Sequence, residues 1–232
     1  MAPQASGLAR TVVAEVLGTG FLVAAVVGSG IMASRLSPHD TGLALLENSI
    51  ATGAALVALI LALQPVSASF NPVVTLVEAA LGSLAWSAAV VLIAAQVAGG
   101  LAGTVVAHLM FGLDAVTFST HERTGPGLWL AEVVATVGLL LVIFGTTRSG
   151  RGDRVAYAVG GYIAAAYWFT SSTSFANPAV TVARTITDSF SGIAPGSAPG
   201  FIAAQFVGGL LGFALIRFLF PIAAPADRKV LS

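Results

Sequence analysis

The chain contains no cysteine, which excludes disulfides, thiolate metal centres and cysteine nucleophiles. Charge is scarce as well: 9% of the 232 residues are Asp, Glu, Lys or Arg, against about 25% in an ordinary soluble domain. Acidic and basic residues balance at ten each, so the basic footprint of a nucleic-acid binder is missing and no nucleic-acid partner is expected. The three histidines, His39, His108 and His121, are too scattered to suggest a metal site. No set of nucleophile, base and orienting group can be assembled either, which argues against an enzyme. No cofactor is expected.

Apolar residues take the place of charge. They make up 56% of the sequence and the mean hydropathy is +0.93, which makes a lipid bilayer the expected surrounding. Six segments approach the roughly 20 helical residues needed to cross about 30 Å of hydrocarbon; they lie near 11–33, 43–63, 84–110, 128–147, 154–172 and 198–221. The first is longer than the roughly 7 to 15 residues of a signal-peptide core and reads as a retained span.

Two further stretches are apolar but too short to span. Ser69-Phe70-Asn71-Pro72-Val73-Val74-Thr75 lies within Gln64–Gly82, and Ser174-Phe175-Ala176-Asn177-Pro178-Ala179-Val180-Thr181 within Ser171–Ser191. Asn before Pro suits a loop entering a helix, and about ten helical residues rise only about 15 Å. Each phrase therefore reads as a re-entrant loop followed by a half-helix. Irregular backbone at membrane depth requires protein or a water-filled cavity to satisfy it, so two such segments imply a cavity.

The repetition goes further. Ala14-Glu15-Val16 in the first span matches Ala131-Glu132-Val133 in the fourth, and Gln96, Gly99, Gly100 and Gly103 match Gln205, Gly208, Gly209 and Gly212. The chain thus reads as one transmembrane domain over 1–232, all-α, with six spans and two half-helices in two repeats, about 11–122 and 128–222. Three spans per repeat is an odd number, so the second repeat is inverted and the half-helices meet near the midplane. There the N-termini present partial positive charge, and the Asn71 and Asn177 amides are positioned to donate to a passing oxygen while the paired dipoles oppose cations. Placing both termini in the cytoplasm of a plasma or inner membrane puts Arg10, Arg148, Arg151, Arg154, Arg228 and Lys229 inside, and Arg35 and Arg123 outside, as the positive-inside rule asks.

With its two Asn-Pro motifs and paired Glu, the sequence resembles the aquaporin, or major intrinsic protein, family over residues 11–221. The resemblance implies a six-helix bundle with two half-helices, a homotetramer with one pore per subunit, and a pore centre built from Asn71, Pro72 and Val73 with Asn177, Pro178 and Ala179. Val73 stands where the family motif has Ala. Glu15 and Glu132 are costly inside a span; they read either as proton-coupling groups or, as in the family, as buried acceptors that hold the re-entrant loops, and the second reading is adopted. Most water-selective members carry Arg directly after the second motif, whereas this chain has Val180.

Matched to the family's outer constriction by distance from the motifs, the resemblance implies a filter of Ala51, one of Ala164, Ala165 and Ala166 (Ala165 is adopted), Ser174 and Val180. Arg184 is a further candidate, either reaching back to the pore mouth or tying down the loop that follows it, with Asp188 at a spacing of four as a candidate partner. A filter of Ala, Ser and Val would be wide and apolar. The expected function is passive passage of small uncharged solutes: water, glycerol, urea, or metalloid hydroxides such as arsenous acid. A secondary transporter, which also uses inverted repeats and broken helices, is the alternative.

Overall fold

Eight helices follow from this pattern in the computed structural model, which describes residues 7–221. In chain order they are α1 (Leu8–Leu36), α2 (Thr41–Leu63), α3 (Pro72–Ala80), α4 (Trp86–Met110), α5 (Pro126–Arg148), α6 (Val155–Phe169), α7 (Pro178–Ala183) and α8 (Ala198–Leu219). Five of them, α1, α2, α4, α5 and α8, are long and apolar enough to cross a membrane. The fifth expected span is shorter than 154–172: α6 has 15 residues and is led in by a single 3-10 turn over Gly152–Arg154. The half-helices are also unequal. α3 runs nine residues, while α7 runs six and tightens into a 3-10 turn over Arg184–Ile186.

The two repeats pack in the same way. α1 lies along α4 and α5 along α8, the most extensive contacts within each half, and α2 joins the halves by packing on α6. The shared glycines explain the closeness. A Cβ on Gly99 would sit 2.3 Å from the Val16 carbonyl oxygen, and one on Gly208 would sit 2.8 Å from that of Val133. Such approach is the usual basis of helix association in lipid, where exclusion of water is no driving force. The neighbouring glycines serve the other half: Gly209 on α8 accommodates Val73 of α3, and Gly100 on α4 accommodates Ala183 of α7. The outer surfaces are apolar, with Phe218, Leu210 and Val90 largely exposed.

The N-terminal end of α1 and the C-terminal end of α8 lie on one side of the bundle, here termed the terminal face. Arg148 at the end of α5 bonds the Phe220 carbonyl there. The opposite, distal face carries the 111–125 segment between the halves, whose Thr117 and Ser119 amides donate to the Ile186 and Thr185 carbonyls. Arg10, Arg148, Arg151 and Arg154 fall on the terminal face, and Arg35 and Arg123 on the distal face; Arg228 and Lys229 lie outside the described residues.

Candidate functional site: a lumen between two crossed loops

Each re-entrant loop is held from two sides. In the first, Glu15 of α1 accepts from the Ser69 amide (3.0 Å), the Phe70 amide (2.8 Å), the Ser67 hydroxyl (2.5 Å) and Gln96 Nε2 (2.7 Å). In the second, Glu132 of α5 accepts from the Phe175 amide (2.9 Å), the Ala176 amide (2.8 Å), the Ser172 hydroxyl (2.6 Å) and Gln205 Nε2 (2.6 Å). Both glutamates are fully buried. Four donors each, two of them main-chain, offset the desolvation that a buried carboxylate otherwise suffers. The glutamines reach on to the motif threonines, Gln96 to Thr75 (2.8 Å) and Gln205 to Thr181 (2.9 Å).

Phe70 and Ala176, the residues before each Asn, are left-handed, with φ of 48° and 46°. This turns their carbonyls toward the opposite repeat. Asn177 Nδ2 donates to the Phe70 carbonyl and Asn71 Nδ2 to the Ala176 carbonyl, both at 2.7 Å. The amide oxygens cap the half-helices: Asn71 accepts from the Val73 amide, and Asn177 from those of Ala179 and Val180, the usual N-cap bond. Each amide group has two N–H donors. One goes to the opposite loop, which leaves the other for the space beside it.

That space is a cavity of about 540 Å³ bordered by both asparagines. From the terminal face it starts beside Thr11, Glu78, Ser83 and Thr147, and it reaches Val180 and Arg184 toward the distal face. Its flanks between are aliphatic, with Leu22, Leu56, Leu139 and Ile163. Val74 and Val180, each three residues beyond its Asn, both border it.

The distal end differs from the counted filter. Ser174 and Val180 border the cavity, but Ala51 and Ala165 do not; Thr52 and Tyr167 stand there instead. Ala165 is exposed on the outside of α6, and neither Ala164 nor Ala166 reaches the lumen. One residue turns a helix by about 100°, so a miscount of one or two exchanges a lumen residue for one facing elsewhere. On α6 the longer second loop adds to the offset. Its extra residue is absorbed at Thr173 and Ser174, both left-handed, so Phe70 corresponds to Ala176 and not to Phe175. Thr52 Oγ1 and the Tyr167 hydroxyl lie 3.2 Å apart, and the Ser174 hydroxyl has no partner among the described residues.

Arg184 is not paired with Asp188. Its Nε donates to the Ser191 carbonyl and its guanidinium carbon lies 3.4 Å from the centre of the Phe175 ring, over which Arg123 also lies at 5.3 Å. The reason is local: the chain leaves α-geometry at Arg184, and Thr187 is extended, so the four-residue spacing no longer brings the side chains together. Asp188 turns outward and accepts from the Thr120 amide and hydroxyl at 2.8 and 3.0 Å. The amide bond chiefly, with the hydroxyl and nearby His121, holds the Asp188 carboxyl below its usual range. Thr52, Tyr167, Phe175 and Arg123 escaped the sequence reading; only the phase of α2 and α6, which needs the packed structure, would have revealed the first two.

Comparison with known proteins agrees with this geometry. The Major intrinsic protein family model matches residues 3–165. The aquaglyceroporin AqpS of Rhizobium meliloti (strain 1021) is 53% identical over 96% of this chain and 95% of its own length. The rice aquaporin NIP1-3 (Oryza sativa subsp. japonica) is 30% identical over 77% of this chain and 64% of its own. Among solved structures, the aquaglyceroporin from Plasmodium falciparum superimposes with a TM-score of 0.71 at 19% identity, covering 94% of this chain and 98% of that one.

Proposed function

Because the chain belongs to the major intrinsic protein family, whose members are membrane channels and not enzymes, we propose that its cavity is the lumen of a passive channel for glycerol-sized neutral solutes. The supporting observation is the continuous cavity running past Asn71 and Asn177 at the crossing of the two loops. Each asparagine retains one N–H for a passing hydroxyl or water oxygen, and each half-helix N-terminus adds positive potential at the same point. A solute moves by exchanging its own hydrogen bonds for these, while the aliphatic flanks offer an ion nothing in place of its hydration.

Solute size is set at the distal end. Val180 leaves open the space that a directly following Arg would fill, and Ser174, Thr52 and Tyr167 supply hydroxyls on the surrounding wall. Polyhydroxylated or amide-bearing molecules fit that lining: glycerol, as the name of the 53% identical relative suggests, urea, and undissociated metalloid hydroxides. Arg184, stacked on Phe175, contributes a guanidinium from one turn deeper in the half-helix. The arginines of the terminal face support a cytoplasmic position for both termini in a cell membrane. A homotetramer is expected from the family likeness and is checked by cross-linking in the membrane.

Stopped-flow swelling of vesicles containing the purified chain tests the reading, with water, glycerol, urea and arsenous acid compared in one preparation. Val180→Arg is expected to lower glycerol permeation at least tenfold and to spare water. Equal glycerol rates in the two proteins would remove Val180 from the filter, and solute uptake that collapses with a proton or sodium gradient would replace the channel with a transporter.

A further inference from the structure

Glu78 and Arg184 occupy the same register in the two repeats, each seven residues after the motif asparagine (Asn71, Asn177), and both border the lumen. Seven residues at about 1.5 Å of rise place each charge about 10 Å from the crossing point, on opposite sides of it. They are too far apart to pair. The N-termini of α3 and α7 at the centre and the Arg184 guanidinium toward the distal end are positive. Such a series turns away cations and attracts anions. Among the described residues Glu78 is the only acidic side chain on the cavity wall.

We propose that Glu78 is the anion-excluding residue of this channel, a specificity determinant without which the lumen would conduct small monovalent anions. The proposal rests on the channel reading above. The Glu78 side chain is partly buried and accepts from the Ser69 hydroxyl at 2.8 Å through one oxygen. A fixed charge beside a narrow lumen of low polarity acts on a passing ion far more strongly than it would in water. An anion drawn in by the positive centre therefore meets repulsion at the terminal-face mouth, and a cation meets it at Arg184 and the centre. Opposite charges in series at the two ends close the lumen to both signs, while a neutral solute is indifferent to either.

The test measures chloride entry into vesicles of the purified chain with a chloride-quenched dye, under a potassium and valinomycin clamp, alongside glycerol swelling in the same preparation. Glu78→Gln keeps an acceptor for Ser69 and removes the charge; the ratio of chloride entry to glycerol swelling in the same vesicles is expected to rise at least tenfold. Ser69→Ala removes the hydrogen bond and keeps the charge, and is expected to remain as tight as the parent. Chloride entry in Glu78→Gln equal to the parent would overturn the proposal, as would equal leaks in Glu78→Gln and Ser69→Ala, which would make Glu78 a loop fastener. Should Glu78→Gln fail to assemble, Glu78→Asp and Glu78→Ala, compared in the same way, must still order by charge. Absence of glycerol swelling in the parent would instead count against the channel reading itself.

Discussion

Phe70 and Ala176 show how individual residues set up the lumen. A left-handed backbone at a residue with a Cβ costs about 1 to 2 kcal/mol, and here it is held by a glutamate on the N–H and by the opposite asparagine on the carbonyl. The strain aims the carbonyl across the midplane and so fixes the amide planes of Asn71 and Asn177. Glu132→Gln tests the arrangement: an NH2 group would replace one carboxylate oxygen that now receives donors. A loss of about 3 kcal/mol is expected, the scale of leaving buried donors unpaired, read as an earlier thermal transition of the detergent-purified protein. An unchanged transition would show that the carboxylate does not hold the loop. The residues of this layer were legible because the motif recurs; Glu15, Glu132 and the asparagines could be paired by eye across the two halves.

At the scale of elements, what was legible was length and what was not was phase. Five spans matched simple hydropathy. α6, at 15 residues, is short because the second re-entrant loop begins early, at Thr170, and a bonded loop can continue at membrane depth only because protein surrounds it. Which face of α2 and α6 meets the lumen depends on how Gly53 and Gly160 seat these helices against each other: a Cβ on Gly53 would lie 2.9 Å from the Gly160 carbonyl oxygen. That contact joins residues more than a hundred positions apart, and apolar periodicity in a lipid-facing helix is too weak to disclose it. Thr52 and Tyr167 therefore remained hidden behind Ala51 and Ala165. The glycine contacts give the prediction at this scale. Gly103→Ala would put a methyl 2.2 Å from the Gly20 carbonyl oxygen, whereas Gly161→Ala on α6 meets nothing within 4 Å. The first is expected to destabilise by about 1 to 3 kcal/mol and the second to leave stability unchanged or slightly raised, as thermal unfolding of the two variants would report.

For the whole molecule, the distal segment between the halves is bonded to the second repeat and not left as a free linker. The Ala194 amide reaches the His121 carbonyl, Arg123 bonds the Gly192 carbonyl, and Asp188 receives Thr120. Asp188 makes one of these ties pH-dependent. Its folded-state pKa is lowered, so the stabilisation is complete above the unfolded value of about 3.9 and fades as pH falls through the folded value. Protection of the Thr120 amide against hydrogen exchange is expected to hold from pH 8 to 5 and to drop only in acid. In Asp188→Asn that acid-dependent change is expected to vanish; its persistence would assign it to another group.

The exchange of carbonyls between the two loops has a consequence for how the two halves depend on each other. Neither half can finish its own midplane turn, because the group that completes Phe70 belongs to Asn177 and the group that completes Ala176 belongs to Asn71. Each half is in effect the other's ligand. The two halves are bonded to each other as the subunits of a dimer are, and the crossing at the centre of the lumen needs both loops in place.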